Sequence, residues 1–154
     1  MTRRNLCIAA ASPAVVLPLR AAVRGDEAMY VGGTISSVPE KTEGRLDLSS
    51  ETEGRFNAKK GTFGFAYKKI TSIEYGQKAG RRIGVALAVN PLFLFSKKRK
   101  HFLTIGFADE AGKTQGAVLE IGKGNVRTVL SVLETRSGQK VEYESEDARK
   151  HAGN

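Results

Sequence analysis

Residues 101–138 read HFLTIGFADEAGKTQGAVLEIGKGNVRTVLSVLETRSG, and a change of period inside this stretch decides the fold. Leu103, Ile105 and Phe107 recur at every second position, the spacing of a strand with one buried face. Asp109-Glu110-Ala111-Gly112-Lys113 turns the chain, and Ala117, Leu119 and Ile121 alternate on the return strand. Beyond Gly122 the spacing becomes that of a helix. Val126, Val129, Leu130 and Leu133 form one apolar stripe. Asn125 is placed to cap the start of that helix, Arg136 sits at its negative end, and Gly138 is a natural stop.

Working outward, the period upstream is mostly two. Strands are expected over 29–35, 45–49, 54–58, 62–66 and 70–75. Gly32-Gly33 loosens the first. Lys59-Lys60-Gly61 is a short turn, with glycine where a positive φ is needed. Phe63, Phe65 and Tyr67 alternate, as do Ile73 and Tyr75. The fold expected is mainly β: a partly open barrel of about seven strands closed by one C-terminal helix. It occupies 25–144 and leaves 145–154 as a disordered tail. There is no internal repeat and no second domain.

The stretch Phe65-Ala66-Tyr67-Lys68-Lys69-Ile70-Thr71-Ser72-Ile73-Glu74-Tyr75 resembles the strand–turn–strand segment of bacterial PH-like and GRAM-like domains. The helix near 125–136 falls where those domains keep theirs, and the resemblance covers about 29–140. It implies a binding module for lipids, peptides or proteins; the residues themselves give no expectation of a cofactor or of catalytic residues. Residues 77–101, inserted between two strands, depart from the pattern.

Charge singles out the same insert. The net charge of +9 is unevenly spread. Residues 77–101 carry Lys78, Arg81, Arg82, Lys97, Lys98, Arg99 and Lys100 and no acid, a local +7. Residues 1–24 carry +4, which leaves −2 for everything else. A basic patch on a slightly acidic body implies an anionic partner. Between the basic ends lies the apolar run 83–95, broken by Asn90-Pro91 and too short to span a bilayer.

Three readings of this basic–apolar–basic sandwich stay open. It is an interfacial loop on an anionic lipid surface, a groove for an acidic protein partner, or a core element with solvated flanks. The interfacial reading is preferred, with Arg81, Arg82, Leu92, Phe93, Leu94, Phe95, Lys97, Lys98, Arg99 and Lys100 as the binding residues. Nucleic acid fits poorly, because the aliphatic centre lacks interleaved stacking residues.

The N-terminus reads as an export signal. Thr2-Arg3-Arg4-Asn5-Leu6 opens a cationic, then apolar, segment that resembles a twin-arginine signal. An exported, periplasmic or membrane-associated protein follows; a start at Met29 would make it cytoplasmic. A disordered extension over 1–24 is the alternative. The single cysteine, Cys7, excludes an intramolecular disulfide and a Cys₄ or Cys₂His₂ metal site.

No constellation for catalysis or metal binding is legible. His101 follows Lys97-Lys98-Arg99-Lys100, where a cationic imidazole is disfavoured, and reads as the polar first residue of a strand. His151 reads as solvated tail. Glu142, Glu144, Glu146 and Asp147 lack the spacing of a calcium loop and read as a solvated run.

Overall fold

The computed structural model describes residues 26–77 and 100–153. The strands are β1 (Asp26–Gly33), β2 (Thr42–Asp47), β3 (Glu53–Ala58), β4 (Gly61–Ala66), β5 (Ile70–Gly76), β6 (His101–Ala108), β7 (Thr114–Ile121) and β8 (Val141–Tyr143). The helices are α1 (Val126–Ser137) and α2 (Glu146–Gly153). Among the described residues the strands form one curled sheet, an open half-barrel, in the order β4-β3-β2-β1-β7-β6-β5-β8. Only β8, against β5, is parallel. The C-terminal helices close the half-barrel off.

Alternation explains which face is inside. Tyr30, Phe56, Phe63, Phe65, Ile73, Tyr75, Leu103, Ile105, Phe107 and Leu119 meet in one core. Val126, Val129, Leu130 and Leu133 of α1 pack on it, as the 3.6-residue stripe requires. The rings of Phe56 and Phe63 stack at 5.4 Å, and Tyr30 meets Phe63 edge-on at 5.6 Å. The opposite face of the middle strands is also covered. Val31, Phe102, Thr104 and Val118 are all 2% exposed or less, although their strand neighbours point into the core.

The mainly β, helix-closed barrel agrees with the sequence reading, and two features extend it. The sheet has an eighth strand, since three residues of β8 are too few to show a period. The tail expected to be disordered from 145 is instead α2, with Ala148 and Ala152 buried in the core. Their spacing of four places both on one helical face, so that two methyl-bearing positions dock the segment. Gly32-Gly33 is a strand distortion as expected: the β1–β7 register shifts between Tyr30 and Gly32.

The cap of α1 differs from expectation. The Asn125 side chain makes no capping bond, because Lys123–Asn125 is already a 3₁₀ turn feeding the helix. Gly138 stops α1 in the left-handed conformation, φ 72°. Arg136 does more than face the helix dipole. Its guanidinium donates to the carbonyls of Leu48 and Ser50 and to the Tyr67 hydroxyl, and lies over the Tyr67 ring. It ties α1 to the β2–β3 loop.

Candidate functional site

The site is where the chain leaves β5 and returns on β6. These strands are neighbours, paired up to Gly76↔Phe102, so one hairpin holds both ends of the 77–101 insert. On the leaving side, the Glu144 backbone N–H bonds to the Tyr75 carbonyl at 3.0 Å. The Glu144 carboxylate accepts the Gln77 N–H at 2.9 Å. It passes so close to Gly76 that any side chain there would collide with it. On the returning side, Lys100 donates to Glu120 of β7 at 2.8 Å, a pair only a quarter exposed.

Next to Lys100, His101 is buried and stacked parallel to the Tyr75 ring. Tyr75 Oη lies 2.6 Å from His101 Nδ1. Burial, and then Tyr143, push the Tyr75 hydroxyl above its ordinary value, so it keeps its proton and donates. Burial first, then the charges of His151 and Lys123, lower His101, with Glu120 opposing. A neutral imidazole accepting at Nδ1 carries its proton on Nε2. The sequence also disfavoured a cation at His101; the structure attributes this to burial before charge.

A cavity of about 350 Å³ opens beside this pair, lined by Gln77, Lys100, His101, Glu120, Lys123 and His151 among others. It brings together both histidines of the chain. His151 is therefore part of this cavity and not of a solvated tail. It arrives on α2, and Lys123 arrives from the turn before α1. The sequence reading placed neither of them at a site. The usable signal was the last segment's helix grammar: acids at Glu146 and Asp147, bases at Lys150 and His151, and alanines four apart.

Of the residues singled out for binding, Lys100 is placed at this root, ion-paired to Glu120. Arg81, Arg82, Leu92, Phe93, Leu94, Phe95, Lys97, Lys98 and Arg99 lie outside the described residues, as do the 1–24 segment and Cys7. Among the described residues no cluster of His, Cys, Asp and Glu could hold a metal ion. None of their helices is long and apolar enough to cross a membrane. The acidic run is spread over β8 (Glu142), the link after it (Glu144) and α2 (Glu146 and Asp147), all four exposed.

The open half-barrel with C-terminal helices is consistent with the PH-like and GRAM-like fold class in general, and with a binding module in general. No family model and no curated protein matches the chain.

Proposed function

We propose that this protein is a non-enzymatic, exported or membrane-associated binding module that docks on an anionic membrane surface through residues 81–100. One observation carries the reading: the +7 of the 77–101 insert brackets the longest apolar run after residue 24. Near a charged bilayer each basic side chain contributes about 1 kcal/mol. Docking then has two parts. Basic residues draw the insert to the lipid phosphates, an attraction that weakens as salt shortens the screening length. Apolar residues then bury area at the headgroup–acyl boundary, which salt does not weaken.

A second reading has its own support. The buried outer face lies on β6, which flanks the insert, at Phe102 and Thr104, and on β7 and β1 beyond it at Val118 and Val31, which favours reading the run 83–95 as a core element.

Co-sedimentation with phosphatidylglycerol–phosphatidylcholine vesicles, with a thermal melt of each variant, separates the two. Under the membrane reading, changing Lys97, Lys98 and Arg99 to Gln removes most low-salt binding. Lys100 is left intact because it is paired with Glu120. Phe93→Ser with Phe95→Ser removes the salt-resistant remainder, and both variants melt as the wild type does. A wild type that ignores vesicles, with Phe variants that melt far lower, defeats the membrane reading and supports packing on the sheet. Binding to an acidic protein but not to vesicles would make the same patch an adaptor surface.

A further inference from the structure

The two edges of the sheet are built differently. β8 is three residues long, carries Glu142, and runs almost directly into the docked helix α2. β4 is six residues, Gly61-Thr62-Phe63-Gly64-Phe65-Ala66, with no charge and no proline. Its register with β3 is unbroken from Glu53↔Ala66 to Ala58↔Gly61, so it has no bulge. Charges, prolines, bulges and covering elements are the usual guards of an edge, whose unpaired N–H and C=O groups template another strand. Within β4 charges, prolines and bulges are missing, and among the described residues covering is confined to its two ends.

The ladder fixes which groups face outward. The Tyr67 N–H bonds to the Thr52 carbonyl at 3.0 Å, one step beyond Glu53↔Ala66. Bonded and non-bonded pairs alternate in an antiparallel ladder. Phe65, Phe63 and Gly61 therefore bond to β3, while Thr62, Gly64 and Ala66 turn their N–H and C=O to the open side. The Ser37 hydroxyl donates to the Thr62 carbonyl at 3.0 Å, and a Cβ on Gly61 would run into the Ser37 carbonyl. The loop 34–41 thus closes the hairpin end. Gly64 is exposed, with only the Gly54 carbonyl, at 3.6 Å, near the place of a Cβ. The Ala66 carbonyl is taken by the 3₁₀ turn Tyr67–Lys69 that follows it, which leaves the Gly64 N–H and carbonyl and the Ala66 N–H without a bond among the described residues.

Charge identifies the occupant. Lys59 and Lys60 stand at one end of the edge and Lys68 at the other, all exposed, while the neighbouring Lys69 turns its ammonium to the Asp109 carbonyl at 3.2 Å. The acid beside the edge, Glu53, is engaged by Arg55 at 2.6 Å. Among the described residues no ion pair involves the four lysines. A second copy pairing antiparallel about Gly64 would bring Lys59 and Lys60 at the end of one copy's strand toward Lys68 at the end of the other's, and like charges brought together disfavour it. We propose that the β4 edge binds an extended peptide segment with acidic residues at both ends, added as a further strand through the N–H and carbonyl of Gly64 and the N–H of Ala66. This proposal is independent of membrane docking.

The test uses the full chain and a capped probe, Glu-Glu-Val-Thr-Val-Thr-Val-Glu-Glu, titrated against amide NMR signals. The expected result is movement of the Gly64 and Ala66 amides with β8 unaffected. A probe with Lys in place of Glu should bind at least about tenfold more weakly. Gly64→Pro deletes the outward N–H and spares the Phe63 and Phe65 bonds to β3, since proline is tolerated where an edge N–H faces solvent. It should weaken binding by a similar factor. Should Gly64→Pro unfold, Lys60→Glu with Lys68→Glu serves instead, and should reverse the preference to the Lys probe. The proposal is overturned by no binding of the Glu probe, which would make the lysines guards against strand pairing. Equal affinity for both probes, or unchanged binding by the substituted chain, overturns it too. So does a dimer in sedimentation that Gly64→Pro abolishes, because the occupant would then be a second copy.

Discussion

The two halves of the sheet are held by different physics. In β1–β4 the rings of Tyr30, Phe56 and Phe63 pack face and edge, and Arg136 pins the β2–β3 loop to α1. Little in that contact titrates near neutrality. In β5–β8 the root of the insert rests on the Tyr75–His101 bond, the Glu144–Gln77 bond and the Lys100–Glu120 pair. The first half is an area-driven core, and its strength follows from ring burial. The second is a polar junction whose strength depends on protonation state. The half with the titratable junction is also the half that holds the basic insert.

The comparison breaks most plainly at Phe56. Phe56→Ala should cost about 3–5 kcal/mol in denaturant unfolding, because a fully buried, stacked ring leaves a cavity. A cost under about 1 kcal/mol would mean that the aromatic half is not a packed core. The matching cut in the other half is smaller. Tyr75→Phe keeps the ring and removes the donor to His101 Nδ1, for a loss of about 1–3 kcal/mol.

Acid sharpens the contrast further. His101 in the folded chain titrates below its ordinary value of 6.5. Between that lowered value and 6.5 the unfolded chain binds a proton that the folded chain does not. Stability from this group is therefore complete above pH 6.5 and declines as pH falls through the window. Unfolding measured from pH 7.5 to about 5 stays above the range where Asp47 and Asp109, both lowered, titrate. His101→Gln should flatten the slope, whereas Phe56→Ala should shift the whole curve down and leave the slope intact. The smallest effect belongs to Lys100→Gln. A partly exposed single pair contributes no more than about 1 kcal/mol, and the loss should shrink as salt is added. A loss above about 2 kcal/mol would place the pair among the structural supports of the junction.

Which parts were legible follows from how far each signal reaches. Leu103, Ile105 and Phe107 announce β6 within five residues, and Val126 to Leu133 announce α1 within eight. β8 gives no such notice. Val141–Tyr143 becomes a strand because β5 presents an edge beside it, Ile73↔Val141 to Tyr75↔Tyr143, on a segment nearly seventy residues earlier. Asn125 carried a sound local capping signal that the 3₁₀ turn at Lys123–Asn125 overrode.

The sequence by itself determined the period-two strands, the period-3.6 helix and the clustering of seven basic residues in one insert. All of these are properties of neighbours along the chain. Only the tertiary structure decided that His101 and His151 share a cavity and that α2 docks through two alanines. It also decided that β8 guards one edge of the sheet while, among the described residues, the middle of β4 is left unpaired. Those outcomes depend on how the sheet curls and in which order its strands pair, and that order joins β1 to β7 across some ninety residues. Pairing over such distances is set by the burial that the whole fold gains at once, which no local pattern encodes.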